Sequence, residues 1–331
     1  MTASKHIVKL IPFCLLFAVA AALFSTAPVG AQQQYPVKPL RLIVPFPPGG
    51  NTSLIGRMLS QKLAEPLGQQ IVVDNRGGAG STIGAALAAK APPDGYTLFL
   101  ASQANAISAS LYSNLSFDLV RDFAPVTMLA ISKHVLVVHP SLPVRSLKEL
   151  IAFARARPGS LMFSSSGSGS SSHLAPELFA SMAGIKMLHV PYKGGGPAII
   201  AALTGEVSLM FSSLAPAIPH IKEGKLRALG IGSTQRSPLL PDVPTVSEAG
   251  LPGYDVSTWY GLVAPAGVPK EIIARLHAET VRVLERPDVK QWLHASAYEP
   301  RTSTPEEYAA FTRREVEKWA KVIKAAGVRV D

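Results

Sequence analysis

Most of the chain alternates short apolar runs with longer amphipathic stretches, and this alternation constrains the fold more than any other feature. The runs 40–46, 70–74 and 97–102 have the length of buried strands, whereas 53–68 and 80–90 place apolar or alanine residues at helical spacing. Strands that are separated by helices pair in parallel, because the helix carries the chain back to the starting edge of the sheet. The pattern therefore predicts an α/β fold.

The same alternation continues through the middle of the chain and then changes. Further strands are predicted at 135–140, 161–165, 187–192, 207–211 and 226–232, with helices at 147–157, at 172–183, from 197 and at 218–223. A single strand at 258–264 precedes three helical segments, 269–286, 288–296 and 305–325. This order predicts two lobes joined by two crossings, near 134–140 and 258–264. We expect lobe 1 to contain 32–135 and 260–331, and lobe 2 to contain 136–259.

Three short motifs have the spacing of a capping box, in which a Ser or Thr and a Glu three residues later cap each other's backbone N–H groups. They are Ser146 with Glu149, Thr245 with Glu248, and Thr304 with Glu307. Each motif predicts the start of a helix, and Pro305 adds the proline that favours a first helical position.

The N-terminal residues 1–31 have the pattern of a cleaved export signal. A basic segment with Lys5 and Lys9 precedes the apolar run 11–24, which is too short to span a bilayer, and small residues lead to a cleavage point between Ala31 and Gln32. The sequence therefore predicts a periplasmic protein. Its single cysteine, Cys14, lies inside the signal, which excludes cysteine nucleophiles, iron–sulfur clusters and thiolate zinc sites from the mature chain.

The chain is basic but carries few charges. It has 32 Lys and Arg against 22 Asp and Glu, a net charge of +10, and 16% charged residues. A nucleic-acid binder concentrates Lys and Arg on one face, and no dense basic run occurs here. We therefore interpret the positive balance as a weak general field that favours anionic ligands, and we expect no nucleic-acid partner.

Three Gly- and Ser-rich turns lie between a predicted strand and a predicted helix. They are called the first turn (46–53), the second turn (164–173) and the third turn (191–197). A helix start offers unpaired N–H groups and a partial positive charge, glycine allows close approach, and hydroxyls add hydrogen bonds. Two such turns from different lobes could hold both ends of a small carboxylate without a formal cation. The same composition also suits turns that only cap helices.

Enzyme motifs are missing from the sequence. No G-x-S-x-G, G-x-G-x-x-G or P-loop pattern occurs, and His134 and His139 fall on opposite faces of a strand, so they do not form a metal pair. A serine hydrolase that uses Ser170 and His173 stays as an alternative, but no spacing identifies an orienting acid. We therefore predict no catalytic residue, metal site or cofactor.

Eight segments in order resemble the Bug family, the extracytoplasmic solute receptors of tripartite tricarboxylate transporters. They are PFPPGGNTSLIGRML, VDNRGGAGSTIGA, PPDGYTL, FSSSGSGSSSHLAPELF, HVPYKGGGPA, GEVSLMF, LPDVPTVSEAGLPGYD and WYGLVAPAGVP. The resemblance implies a type II periplasmic-binding-protein fold, with two α/β lobes joined by two crossing strands that close on a ligand. It also implies a small carboxylate ligand that is held by backbone amides, hydroxyls and water.

The family further implies a monomer that delivers its ligand to membrane permease subunits; presentation to a membrane sensor kinase is the alternative. By position, the resemblance implies ligand-binding residues at Phe46, Pro48, Gly50, Thr52, Ser53, Ser102, Gln103, Ser166, Ser168, Gly169, Ser170, His173, Pro191, Tyr192, Lys193, Ser212 and Asp255.

Ser53 departs from the family pattern, because many relatives have aspartate at this position. The missing carboxylate argues against an amino-acid-like ligand and leaves room for a further ligand carboxylate or an aromatic acid. Ser53 could equally be a helix cap.

Overall fold

The computed structural model describes residues 35–327 and divides the chain after Val37. In the N-terminal unit, Met1–Val37, the described residues 35–37 form neither helix nor strand. The predicted export signal and its cleavage point lie outside the described residues. The main unit begins at Lys38, and the description that follows concerns this unit. Among the helices within 35–327, none combines the length and the apolar character that a bilayer span requires.

The main unit alternates strands and helices along most of its length. Its strands are β1 (Leu40–Val44), β2 (Ile71–Asn75), β3 (Thr97–Ser102), β4 (Phe123–Val138), β5 (Met162–Ser165), β6 (Leu188–Pro191), β7 (Leu209–Ser213), β8 (Arg227–Ile231), β9 (Ser257–Pro265) and β10 (Tyr298–Pro300). Its helices are α1 (Asn51–Leu67), α2 (Thr82–Ala89), α3 (Gln103–Leu111), α4 (Leu147–Ala156), α5 (Ser171–Ala183), α6 (Gly195–Leu203), α7 (Leu214–Lys222), α8 (Lys270–Glu285), α9 (Pro287–Ala295) and α10 (Pro305–Ala326). A 3-10 turn, Ala79–Ser81, precedes α2.

The strands form one curled mixed sheet in the order β2-β1-β3-β9-β4-β7-β5-β6, and β8 and β10 also pair with β4. In one half of the sheet, β1 is parallel to β2 and β3; in the other half, β5 is parallel to β6 and β7. Parallel strands end at the same edge, so the turns that follow β1 and β3 share one edge, and the turns that follow β5, β6 and β7 share another. This topology places the Gly- and Ser-rich turns.

The long strand β4 belongs to both halves. Its residues Phe123–Lys133 pair with β9, and from His134 onward it pairs with β7 and, from Val135, with β8. The change of partner therefore lies at the beginning of the first predicted crossing. The second passage lies just before β9, where the N–H of Val256 donates to Gly232 O (2.6 Å), one residue before the strand begins.

Two buried side chains stabilise the segment of β4 in which its pairing changes from β9 to β7 and β8. Lys133 has 5% of its surface exposed, donates from Nζ to Arg236 O (3.0 Å) and forms an ion pair with Glu299 (2.5 Å). The neighbouring His134 is hydrogen-bonded to the backbone of Val256. Burial lowers the pKa of His134 to about 4 although this hydrogen bond opposes the shift, so its ring is neutral at pH 7.

Aromatic packing fixes the return of the chain through β9. The Trp259 ring packs edge-on against Tyr308 and Phe311, and its Nε1 donates to the buried Glu315 (3.0 Å). A Cβ at Gly261 would lie 2.1 Å from the Tyr308 hydroxyl, so this position of β9 requires glycine. The contacts attach α10 directly to the central strand β9.

Apart from a helix predicted to start at Thr245, the strands and helices predicted from the sequence are present, with ends shifted by a few residues. The prediction missed α3, the first half of β4 and the short strand β10. Residues 103–108 are all buried, so α3 has no polar stripe to show its period, and Pro125 and two register shifts interrupt the pattern of β4.

The capping motifs behave differently from one another. Thr304 and Glu307 form the predicted reciprocal pair at the start of α10. Thr245 and Glu248 form the same pair but open a series of turns, so the helix predicted there is wrong. Ser146 accepts from the Glu149 N–H at the start of α4, while the Glu149 carboxylate accepts from the N–H of Arg145. The pair at 245–248 caps its own backbone, but the proline and glycine residues around it stop the helix from extending.

Candidate functional site

The first turn, between β1 and α1, presents its backbone rather than its side chains. Residues 47–50 are exposed, and α1 begins after Gly50 without a side-chain cap. Within the described part of the chain, no acceptor takes up the N–H groups of residues 49–53. Because unpaired N–H groups at a helix start carry partial positive charge, this turn can accept an anion.

Thr52 and Ser53 lie in the first turn of α1 but inside the protein, with 7% and 0% of their surfaces exposed. Asn75, at the end of β2, donates from Nδ2 to Ser53 Oγ (3.3 Å) and to Phe46 O (2.8 Å). Ser53 is not the helix cap, because Gly50 has that position. Its hydroxyl instead helps to attach the half-buried Phe46 end of the turn to β2. Sequence reasoning missed Asn75, whose only signal was a polar residue at the end of a strand.

A strained glycine loop, 77–81, packs beside the first turn. Its residues Gly78, Ala79, Gly80 and Ser81 all have positive φ, which costs about 1–3 kcal/mol at a non-glycine residue. A Cβ at Gly77 would lie 2.8 Å from Pro47 Cδ, so the loop contacts the turn closely. This loop lies within the quoted VDNRGGAGSTIGA segment, but none of its residues was among the predicted site residues.

The helix α3 holds the glycine loop and reaches the second turn. Asn105 donates to Ser81 Oγ (2.9 Å) and Ser108 donates to Gly80 O (2.8 Å). At the other end of α3, Leu111 lies so near the second turn that a Cβ at Gly169 would be 2.7 Å from Leu111 Cδ2. The helix that the sequence did not reveal is therefore the element that lies between the two groups of turns.

Ser102 and Gln103, two predicted ligand residues, are buried at the start of α3, with 2% and 0% exposed. Ser102 and Asn105 form a capping box. The Gln103 side chain donates to Ser257 O (2.8 Å) and accepts from Thr258 Oγ1 (3.3 Å), which links α3 to the first residues of β9. Gln103 therefore holds the crossing region from inside, whereas Ser102 caps α3.

The second turn, between β5 and α5, is held by its own side chains. Ser165 Oγ accepts from the Gly167 N–H (3.1 Å), Ser172 Oγ accepts from the Ser166 N–H (2.9 Å), and Ser170 Oγ donates to Gly167 O (2.7 Å). Ser168 is exposed at the tip. In the described residues, the N–H groups of Ser168, Ser171 and Ser172 have no acceptor, so they are the donors that this turn offers a ligand.

Two stacked histidines lie beneath the second turn. The rings of His173 and His189 are 3.8 Å apart at 10°, and Phe163 packs on His189 at 5.0 Å. His173 Nδ1 accepts from the Gly169 N–H (3.1 Å), and His189 Nε2 shares a hydrogen bond of 2.6 Å with Ser165 Oγ. His173, predicted as a ligand residue, is 6% exposed and holds the turn, while His189 was not predicted at all.

Burial keeps both rings neutral. It lowers the pKa of His189 to about 4 and that of His173 to about 3, and at His173 repulsion from the protonated form of the adjacent His189 adds to the effect of burial. Burial also raises the pKa of Glu177, whose carboxylate lies 3.8 Å from His173 Nε2. Since His173 Nδ1 already accepts from Gly169 and Ser170 Oγ donates to Gly167, the structure does not pair Ser170 with His173 as a hydrolase would require.

The third turn lies next to the second, because the N–H of Tyr192 donates to Ser165 O (3.0 Å). The Tyr192 hydroxyl donates to Glu206 (2.8 Å), and Pro191 and Lys193 are exposed. Of the two weaker candidates, Ser212 is buried and donates to Ser213 O (2.9 Å), and the half-buried Asp255 accepts from Ser257 Oγ (3.4 Å). Lys193 is the one Lys or Arg within the three turns, so neutral donors dominate this part of the surface.

Comparisons with known proteins agree on one class. The model of a family described as the tripartite tricarboxylate transporter family receptor matches residues 55–328. A UPF0065 protein from the tcbD-tcbE intergenic region of Pseudomonas sp. (strain P51) is 41% identical over 290 residues, which cover 87% of this chain and 86% of that protein. Protein BugT of Bordetella pertussis is 38% identical over 320 residues, covering 95% of this chain and 98% of its own.

Solved structures extend the likeness to the fold. R. palustris Rpa4515 with adipate has a TM-score of 0.83 and 35% identity, covering 89% of this chain and 99% of that one. The periplasmic binding protein BugD has a TM-score of 0.80 and 32% identity, with 89% and 99% covered. MatC from Rhodopseudomonas palustris with bound malate has a TM-score of 0.79 and 33% identity, with 87% and 100% covered. The predicted periplasmic-binding-protein fold, with two lobes joined by crossing strands, is confirmed.

Proposed function

Because this chain belongs to the tripartite tricarboxylate transporter receptor family, we propose that it captures a small organic carboxylate at its strand-to-helix turns and delivers it to a membrane transporter of that type. One observation carries the proposal. The first turn offers the N–H groups of residues 49–53, the second offers those of Ser168, Ser171 and Ser172, and α3 lies between them. Neutral donors at helix starts bind anions and release them readily, as a delivery protein must.

The ligand proposed here is a dicarboxylate. The structures with adipate and malate belong to proteins that are 35% and 33% identical to this chain, and both acids carry two carboxylates. Two separate groups of N–H donors suit a ligand with an anionic group at each end. The buried Ser53 adds no negative charge to the first turn, which favours a doubly charged acid over an amino acid.

The domain boundaries fit the same proposal. Lobe 1 would contain 32–135 and 260–331 and lobe 2 would contain 136–259, with closure by rotation where β4 and the chain before β9 pass between the halves. The predicted signal at residues 1–31 would direct the chain to the periplasm, where it would act as a monomer. A membrane sensor is the alternative partner, and recovery of permease or sensor subunits with the ligand-loaded protein separates the two.

Thermal unfolding with a panel of acids tests the binding proposal. Protein that has been unfolded, freed of small molecules and refolded is melted with adipate, malate, citrate, benzoate and glutamate in turn. A ligand at 100 times its Kd stabilises the native state by about 2.7 kcal/mol, so a dicarboxylate should raise Tm by several degrees. A folded protein whose Tm no member of the panel changes would contradict the proposal. Mass spectrometry of acids released from freshly purified protein identifies the natural ligand.

A further inference from the structure

The buried side of the second turn is more highly organised than capping of α5 requires. Ser170 already occupies the N-cap position of α5, and backbone bonds from His173 and Leu174 to Ser170 O close the first turn of the helix. Beneath these bonds, the stacked rings of Phe163, His189 and His173 form a continuous column across β5, β6 and α5. The column places two imidazoles directly under the glycines of the turn.

Each imidazole holds a different glycine N–H group. His173 Nδ1 accepts from Gly169, so this nitrogen carries no proton and the ring is in the Nε2–H form. His189 acts through Ser165, whose hydroxyl bonds to His189 Nε2 on one side and accepts from the Gly167 N–H on the other. Gly167 and Gly169 have φ of +124° and +77°. Glycine adopts positive and negative φ about equally, so other groups must hold these two residues in the positive-φ conformation.

We propose that His173 and His189 are positioning residues that hold the second turn in the conformation in which it binds ligand. Neither ring needs to contact the ligand. By engaging the N–H groups of Gly169 and Gly167, they fix the directions of the neighbouring N–H groups of Ser168, Ser171 and Ser172, which are left for the carboxylate. The inference rests on the proposed function, because it assigns the histidines to the affinity of that same site.

Holding the second turn in its binding conformation before the ligand arrives should increase the affinity of the site. A glycine-rich turn that must be ordered during binding loses backbone entropy at that moment, and the loss lowers affinity. A turn that is already ordered in the free protein avoids the loss. The shape of the column serves the same purpose, since flat stacked rings are stiff and bury well. A neutral imidazole can also accept a hydrogen bond, which lysine or arginine could not.

Paired amide substitutions test the assignment, because the two histidines use different ring nitrogens. Asparagine places its amide oxygen near the position of Nδ1, whereas glutamine places its amide near Nε2. His173→Asn and His189→Gln therefore retain the hydrogen bond, and His173→Gln and His189→Asn lose it. We expect the retaining variants to bind within about threefold of the wild-type Kd and the losing variants to bind at least tenfold more weakly. Calorimetry with adipate and malate supplies the Kd values.

Amide hydrogen exchange provides a second measurement that needs no ligand. In the free protein, the peptides that contain Gly167 and Gly169 should exchange faster in His173→Gln and His189→Asn than in His173→Asn and His189→Gln. Ser165→Ala removes the link between His189 and Gly167 at almost constant volume and should increase exchange in the same peptide. His139→Asn and His139→Gln, which lie outside the turn, provide the matched control.

The two measurements separate the possible failures. If asparagine and glutamine have equal effects at both positions, in affinity and in exchange, the histidines are packing residues and the inference is wrong. If the wild type binds neither acid but the exchange pattern follows the expected pairs, the histidines position the turn and the proposed ligand class is wrong. If the variants that lose the hydrogen bond are too unstable to purify, Ser165→Ala provides the test. Faster exchange at Gly167 in this variant supports a positioning role for His189, and unchanged exchange shows that His189 only packs.

Discussion

The first and second turns have similar compositions, but they reach their conformations by different physical means. The second turn is held by hydrogen bonds from its own serines and from the two stacked histidines, His173 directly and His189 through Ser165. These bonds occupy the N–H groups of Ser166, Gly167 and Gly169. The first turn leaves the N–H groups of residues 49–53 without an acceptor in the described chain. It is constrained instead by its prolines, by Asn75 and by contact with the loop 77–81.

The two turns of this neutral anion site therefore contribute differently to binding. The first turn supplies more donors and depends on neighbouring segments for its shape, whereas the second supplies fewer donors in a frame that it builds itself. Substitutions near the first turn should therefore act through displaced backbone, and changes near the second should act through lost hydrogen bonds or protonation. Three experiments separate these mechanisms.

Acid should weaken the second turn more than the first, and this is the largest effect expected. Unfolded histidine binds a proton near pH 6.5, whereas burial lowers the pKa of His173 to about 3 and of His189 to about 4. Between these values the unfolded state binds more protons, so the free energy of unfolding falls as pH falls from 6.5 toward 4, by about 1.4 kcal/mol per pH unit for each group. Glu177, with its raised pKa, offsets part of the loss because it gains its proton in the folded protein.

Denaturant unfolding between pH 7 and pH 4.5 measures this slope, and hydrogen exchange shows where the protein opens. The double variant His173→Asn/His189→Gln should have a clearly shallower slope than the wild type. His134, which is also buried and neutral, stays in both proteins and contributes equally. The expectation is contradicted if the slopes match or if the first turn opens at a higher pH than the second.

Gly77→Ala should produce the next largest effect, and it acts on the first turn. A Cβ at this position would lie 2.8 Å from Pro47 Cδ and 3.1 Å from Pro47 N, and the proline ring and backbone cannot turn aside as a long side chain can. Overpacking of this kind costs about 1–3 kcal/mol of stability, and the displaced turn should bind adipate or malate at least tenfold more weakly.

Gly195→Ala is the control for Gly77→Ala, because it also adds a methyl group to a glycine of one of the three turns, at the start of α6, but has no atom within 4 Å of the new Cβ. It should change stability by less than about 0.5 kcal/mol, as an ordinary surface substitution does. Equal losses in the two variants would show that the loss in Gly77→Ala does not come from contact with Pro47.

The sequence predicted the fold well because its strands are apolar and continuous. β1 and β3, for example, are buried almost throughout, so LRLIV and TLFLAS are recognisable without any tertiary information. The helix α3 could not be recognised in the same way. Apart from Ile107, its residues 103–108 are small or polar, and all six are buried. What keeps them helical is the set of hydrogen-bond partners that they find on Ser81, Gly80 and Ser257.

The sequence predicted the turns of the candidate site but not the side chains that hold them. Glycine and serine mark the turns locally, so the three turns could be predicted as a group. The side chains that hold them come from distant parts of the chain, as Asn75 does for Phe46 and His189 does for Ser165. A single polar residue at the end of a strand carries no signal of this role. Several predicted ligand residues, such as Gln103 and His173, proved to be buried for the same structural task.

The smallest effects should come from single hydroxyls, and they separate structural serines from serines that face a ligand. Ser53→Ala removes an acceptor from Asn75, which keeps its bond to Phe46 O, so the loss of stability should be about 1 kcal/mol or less. The Kd for adipate or malate should then change by less than threefold. Ser168→Ala removes an exposed hydroxyl and should leave stability unchanged while weakening binding severalfold. If Ser53→Ala weakens binding tenfold without loss of stability, its hydroxyl faces the ligand, and the open first turn then uses side chains as well as backbone.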